Sequence, residues 1–185
     1  MALKRCETCG GPLKRVLLRE YRDPRLGLPG VVVLDAVEEL RCAKCRTVAG
    51  IGFPNLPGLF AAAAVARILN PTKLSGEELR SLRRALDMTG KQLAAALGVR
   101  LETVSRWENN KEPMGPTSEK LLRILAGLAL GAQAHLIPFD TAAIVDMELT
   151  ARPSRKPVEI RLRLVRVAGV KIGRPGVWEQ AKKAA

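Results

Sequence analysis

Residues 89–107 read TGKQLAAALGVRLETVSRW, and the organisation of the chain follows from them. Leu93, Ala94 and Leu97 fall at helical spacing, with Thr89 in the capping position before them. Threonine there accepts from an amide that the first helical turn leaves without a partner. Gly98 ends the run and supplies the backbone freedom that a sharp turn between helices needs. Past it, Val99, Val104 and Trp107 set a second apolar stripe. Ala94 is small where the two helices would cross. The stretch predicts two short helices around a glycine turn, with Val104 and Trp107 in the core.

That is the pattern of a helix-turn-helix, whose second helix enters the DNA major groove. Working outward, Ser75 and Glu78 form a capping box ahead of Leu79, Leu82 and Leu86, which mark one helical face. Arg80, Arg83 and Arg84 fall on the solvent side, where a hydrated face and a DNA contact are equal alternatives. Residues 111–116 are a loop, and 117–130 form one more amphipathic helix. Its apolar end, Leu125, Leu128, Ala129 and Leu130, closes the core or makes a dimer seam.

Toward the N-terminus, Cys6-Glu-Thr-Cys9 and Cys42-Ala-Lys-Cys45 are two CxxC pairs separated by thirty-two residues. This is zinc-ribbon spacing: each pair forms a tight knuckle, and two knuckles complete a tetrahedral thiolate site. Four thiolates leave no open coordination position, so the predicted zinc ion is single and structural. A redox dithiol pair and a rubredoxin-type iron site are the alternatives. His135 is read as an ordinary residue and not as a ligand. Between the knuckles, 14–22 and 31–40 look like strands joined by a turn-rich segment at 23–30. Residues 50–58 read as a linker, and 59–69 as a short alanine-rich helix that packs on a neighbouring module.

Beyond Gly131, Ala143, Val145, Met147 and Leu149 alternate with polar residues, as do Val158, Ile160, Leu162 and Leu164. These predict an antiparallel hairpin that sets Asp146 and Glu148 against Arg161 and Arg163, with a bulge near Leu164–Val165. The tail, with Lys171, Arg174, Lys182 and Lys183, is either an arm that tracks phosphates or a solvated end.

The totals agree with a polyanionic partner. The 185 residues carry a net charge of +13, the kind of excess that nucleic-acid binders show. Its distribution is uneven. Residues 71–150 carry ten basic and ten acidic side chains, whereas 151–185 carry ten basic against two acidic. Phosphate affinity must therefore come from local placement or from the flanks. No apolar run reaches the ~18 residues of a spanning helix, and no signal pattern is read. The expected compartment is the cytoplasm, where paired thiols are more often metal ligands than disulfides.

LGVRLETVSRWENNKEP resembles the Xre/Cro-type helix-turn-helix, whose usual run is LGVS-x-x-TVSRWE-x-G-x-x-P. With a CxxC…CxxC module ahead of it, residues 3–130 resemble the MqsA-type antitoxin family with its YgiT-like zinc ribbon. The resemblance implies a homodimer that binds palindromic operator DNA through the helical half and represses its own operon. It also implies a ribonuclease toxin held mainly by the ribbon half. Carried onto this chain, Glu102 and Thr103 take the early base-facing positions of the recognition helix, and Arg106 the later one. Arg106 matches guanine O6 and N7, and Glu102 would accept from cytosine N4. Ser105 and Lys111 suit phosphate contacts. Gly90 stands where many relatives carry a phosphate-binding glutamine, leaving Lys91 or Gln92 to substitute. Arg100 replaces the usual Ser/Thr cap and adds a phosphate candidate.

The expected architecture is α+β. A zinc ribbon occupies 1–50, a linker with a short helix 51–73, an all-α helix-turn-helix bundle 74–131, and a β-hairpin with a basic tail 132–185. The expected function is a sequence-specific DNA-binding repressor, the antitoxin of a toxin–antitoxin pair. A free-standing regulator of the same architecture is the alternative. No enzyme is expected, given one histidine, no convergent carboxylates and no glycine-rich phosphate loop. RNA binding is disfavoured because aromatic stacking platforms are scarce.

Overall fold

The computed structural model describes residues 5–23, 26, 28–134, 136–152, 156–165 and 176–181. Strand β1 (Leu13–Arg22) pairs antiparallel with β2 (Val31–Cys42), and β3 (Val48–Gly52) adds to the second half of β2. The strands predicted at 14–22 and 31–40 are therefore present. β4 (Ile160–Val165) runs parallel to the start of β2, in register from Val31↔Ile160 to Leu34↔Arg163, and pairs antiparallel with β5 (Val177–Gln180). One five-stranded sheet results, in the order β1-β2-β4-β5 with β3 also on β2.

Helix α1 (Leu56–Ile68) lies against β4 and β5 on one side and against α5 (Pro116–Leu130) on another. Asn55 starts it. The Asn55 side chain accepts from Gly58 N at 3.1 Å and donates to Gly176 O at 2.9 Å, and Asn55 O accepts from Trp178 Nε1 at 3.0 Å. The helix start is thereby tied to β5. Ala61, Ala62, Ala63, Ala64 and Ala66 are all buried, and a helix apolar all round needs cover on every side. Their small side chains let sheet and helices approach together. Leu59, Val65 and Ile68 are fully buried, each contributing about 1.5–3 kcal/mol relative to exposure.

The helical part adds α2 (Gly76–Ala85), α3 (Gly90–Ala96), α4 (Leu101–Glu108), α5 and α6 (Thr141–Val145). The Ser75–Glu78 capping box forms as predicted, with a second from Thr89 and Gln92 at α3. Three helices end in the same way. Asp87, Gly98 and Asn110 all take positive φ, and Met88, Val99 and Lys111 donate back to Arg83 O, Ala94 O and Arg106 O. These are Schellman ends, which recover carbonyls that would otherwise lack donors.

The segment between α1 and α2 is held by two fully buried arginines. Arg67, from α1, donates to Glu78 Oε1 at 2.7 Å and to the carbonyls of Thr72 and Lys73 at 3.0 Å. Arg123, from α5, donates to Glu119 Oε1 at 2.7 Å and to the carbonyls of Ile68 at 2.7 Å and Thr72 at 2.9 Å. Burying a guanidinium is tolerable only when its donors are matched in this way. The two carboxylates and the turn carbonyls supply the match.

Several expectations need correction. Residues 50–52 are strand and not linker, whereas the short helix expected at 59–69 is present as α1, packed on both the sheet and α5. The predicted strand at 143–149 is absent: Asp140 caps α6 by accepting from Ala142 N at 3.0 Å. Ile144 is buried while Ala143 and Val145 are exposed, so the apparent alternation faced the wrong way. The C-terminal strands are β4 and β5. Arg161 meets Glu159 at 3.0 Å and Glu20 at 3.1 Å, and Arg163 meets Glu179 at 2.6 Å, in place of Asp146 and Glu148. No register shift interrupts β4 against β5; the shifts among the described pairings fall between Leu18 and Glu20 and between Leu40 and Arg41. His135, Lys171, Arg174, Lys182 and Lys183 lie outside the described residues.

Candidate nucleic-acid interface and metal centre

Gly98, at φ +64°, makes the turn between α3 and α4. Leu93, Ala94 and Val104 are buried, as is Trp107 at 6% exposure, so the two helices lock through the residues the pattern placed inward. On α4, Glu102, Ser105, Arg106 and Asn109 share the opposite face at i, i+3, i+4 and i+7, and all four are exposed. Thr103 is half-buried at the edge of that face. Arg100, Lys91, Gln92 and Lys111 are also exposed.

Local bonds differentiate these residues. Among the described residues Arg106 is held only by a 3.9 Å approach to Glu112, with its side chain 65% exposed, so the guanidinium is available. Arg100 caps α4 without any side-chain cap bond, as expected for an arginine replacing Ser/Thr, and keeps its charge at the helix start. Gln92 is less available than its exposure suggests, because its Oε1 accepts from Thr89 N at 2.8 Å. Ser105 Oγ lies 3.4 Å from Asn109 Nδ2. Gly90 gives α3 a close seat on α4: a Cβ there would come 3.2 Å from Leu101 Cδ1.

Two arginines assigned to the solvent side belong to the scaffold. Arg83 donates to Glu108 Oε1 at 2.6 Å and Arg80 to Glu108 Oε2 at 3.2 Å, so α2 and α4 are clamped through one carboxylate. Burial raises the pKa of Glu108, but the two guanidiniums outweigh it and hold the group below the usual carboxylate range. Glu108 is the acidic residue of the SRWE block, and its spacing alone gave no sign of the partner. Arg84 is exposed.

The second site is the sulfur cluster. Cys6, Cys9, Cys42 and Cys45 are free thiols whose Sγ atoms all lie within 4.8 Å of one another. Cys6 and Cys45 are 3.6 Å apart, and Cys9 and Cys42 are 3.5 Å apart. A tetrahedron with metal–sulfur bonds of ~2.3 Å has sulfur edges of ~3.8 Å, so the four fit one ion. Both knuckles turn alike: Gly10 N donates to Cys6 O at 2.8 Å and Arg46 N to Cys42 O at 3.0 Å, with Gly10 at φ +67° and Arg46 at φ +62°. Gly11 leaves room for the sulfurs, since a Cβ there would stand 3.0 Å from Cys42 Sγ.

The sulfurs resist ionising together. At Cys9 a hydrogen bond from the Gly11 amide lowers the pKa, but the neighbouring thiols Cys45 and Cys42 outweigh it, and the group is pushed up to about 12. Cys45 is drawn down to about 6, chiefly by hydrogen bonding from Thr47. Four negative sulfurs at this spacing would need a bound metal cation to balance them.

A helix-turn-helix family model matches residues 79–130, from within α2 to the end of α5. No curated relative and no solved structure matched the chain. The helical segment is thus the DNA-binding domain of a transcription regulator, and the sheet, α1 and the sulfur cluster lie outside the match. Among the described residues, no helix is long and apolar enough to cross a membrane.

Proposed function

We propose that this protein is a sequence-specific transcriptional repressor that binds a palindromic operator as a homodimer and controls its own promoter. One observation carries the reading. The exposed face of α4 presents Glu102, Ser105 and Arg106, opposite the buried Val104 and Trp107, in the matched helix-turn-helix. Arg106 reads guanine, Glu102 selects cytosine, and Arg100, Ser105, Lys91 and Lys111 hold phosphates. The cysteine cluster holds one structural zinc ion, because thiolates at tetrahedral spacing suit that metal. The mechanism has no bond chemistry, and its setting is the reducing cytoplasm.

In the finer form of this reading the protein is an antitoxin, and the ribbon end of the sheet binds a ribonuclease toxin. The support is the pairing of a cysteine cluster with this type of helix-turn-helix. The competing form is a free-standing regulator, and a specific feature favours it. β4 occupies the edge of β2 over residues 31–34, so the ribbon is not a separable module.

Titration of the full chain against its own promoter tests the core reading. Wild-type protein is expected to prefer that DNA over a shuffled duplex at moderate salt. Arg106→Ala should reduce discrimination at one base pair by ~1–3 kcal/mol. Equal affinity of the wild type for both duplexes refutes it. Native pull-down with mass spectrometry separates the two forms, since only the antitoxin carries a ribonuclease with it.

A further inference from the structure

The recognition helix opens on an exposed apolar residue. Leu101 is the first residue of α4 and is 49% exposed. Among the described residues it is the one large apolar side chain of α2, α3 and α4 that is exposed, whereas Leu93, Val104 and Trp107 are buried. Its neighbours Arg100 and Glu102 are exposed as well. Leu101 lies one turn ahead of Ser105, so it flanks the face that carries Glu102, Ser105 and Arg106. Its Cδ1 lies toward the start of α3, where a Cβ on Gly90 would stand 3.2 Å from it. That is tighter than ordinary contact, so glycine at 90 leaves the isobutyl group its place.

We infer that Leu101 reads a thymine, through the C5-methyl group that this base presents in the major groove. The N-terminal residues of a recognition helix are the ones that meet base edges. Leu101 has no donor or acceptor, so it takes no part in a hydrogen-bond code. The thymine methyl is the apolar feature of the major groove that such a side chain matches. Contact with it removes from water part of a leucine that folding leaves exposed, which is favourable. Cytosine carrying a methyl at C5 presents the same group, and unmodified thymine is the source assigned here.

The surroundings suit that task. Arg100 precedes Leu101, and Lys91 follows the Gly90 that Leu101 rests against; both are exposed cations suited to phosphates. They hold the backbone while Leu101 meets the base. Arg106 and Glu102 read guanine and cytosine by hydrogen bonds, and Leu101 adds a third base by apolar contact. The inference rests on the DNA-binding reading above and names one base of its operator.

The test uses the full-length, zinc-loaded protein and its own promoter fragment. Each thymine of the protected region is replaced singly by deoxyuridine, which deletes the C5-methyl and leaves every hydrogen-bonding group in place. At least one such replacement should weaken wild-type binding about fourfold, the worth of burying one methyl-sized group. Leu101→Ala should bind the thymine and uracil duplexes equally. Leu101→Met, which keeps an apolar end, should retain the difference. Circular dichroism should show both variants folded, since the position is exposed at a helix start. At the sensitive position, 5-methylcytosine should bind more tightly than cytosine, because the methyl is restored. Promoter preference with no thymine whose methyl matters overturns the inference alone. So does a uracil penalty that persists in Leu101→Ala. A methyl effect found with 5-methylcytosine and at no thymine overturns thymine as the source. Equal wild-type affinity for promoter and shuffled duplex removes the DNA-binding reading, and this inference with it.

Discussion

Gly76 offers a sharp test of how the recognition helix is held. It is the first residue of α2, and a Cβ placed on it would stand 2.4 Å from both Trp107 O and Glu108 O. Those are backbone atoms at the end of α4, so a rotamer change cannot relieve the overlap. Gly76→Ala must push α2 and α4 apart. The separation weakens the 2.8 Å bond from Gly76 N to Asn110 Oδ1, worth about 1 kcal/mol. Forcing a methyl into packed backbone adds about 1–3 kcal/mol. Against this, alanine restricts the unfolded chain and recovers about 0.4–1 kcal/mol. The net expectation is a loss of about 1–3 kcal/mol. For a chain of this size that is a fall in Tm of ~2–4 °C per kcal/mol. Thermal unfolding followed by circular dichroism measures it. Gly115→Ala is the control, because nothing lies within 4 Å of a Cβ there and φ is −66°. If Gly76→Ala melts at or above the wild-type temperature, the close approach of α2 to α4 is wrong. Promoter affinity of the folded variant should also fall, because the same displacement tilts α4.

The sulfur cluster and the buried carboxylates give three further expectations. Chelating the metal should remove amide-exchange protection from β1 and β3 first, while α2 to α5 stay protected, and metal analysis should return one zinc per chain. Arg46→Gly should raise stability by about 0.5–1 kcal/mol in urea, because a non-glycine residue at φ +62° is strained and Gly10 holds the same place in the other knuckle. At Glu78, burial raises the pKa, but the bonds and charge of Arg67 outweigh it and the folded-state pKa lies below the usual value. A depressed folded pKa means that its stabilisation is present above the unfolded value of ~4.3 and is lost as pH falls through the folded value. Glu78→Gln should therefore cost stability at pH 7 and flatten the acid limb of a stability–pH curve. An unchanged acid limb would count against the Arg67 pairing.

The helix-turn-helix and the cysteine cluster were legible because each follows from local spacing. Gly98 marks its own turn, Thr89 its own cap, and two CxxC pairs need only converge. What escaped notice depends on partners far away in the chain. Arg67 reads as the polar end of an alanine-rich helix, yet it is buried against Glu78 and the carbonyls of Thr72 and Lys73. Glu108 reads as part of a DNA-binding block, yet it clamps Arg80 and Arg83. The hairpin failed for a related reason. Met147 and Leu149 alternate with polar neighbours, but Asp140 and Thr141-Ala-Ala start a helix first, and β4 finds a better partner in β2. Alternation shows that a strand has two unlike faces; it does not say which strand lies beside it.

The parallel pairing of β2 with β4 also fixes an order of events during synthesis. Helices α2 to α4 rest on contacts close in sequence and can form as soon as they emerge. The sheet cannot close until Leu162 and Arg163 meet Val33 and Leu34, which precede them by most of the chain. At ~5–20 residues per second, translation separates those two moments by roughly 6–25 s. Throughout that interval Val31, Val32 and Val33 present an apolar strand with an open edge, the kind of surface that invites pairing with another nascent chain. The DNA-reading helices of this protein are therefore complete before the body that carries them.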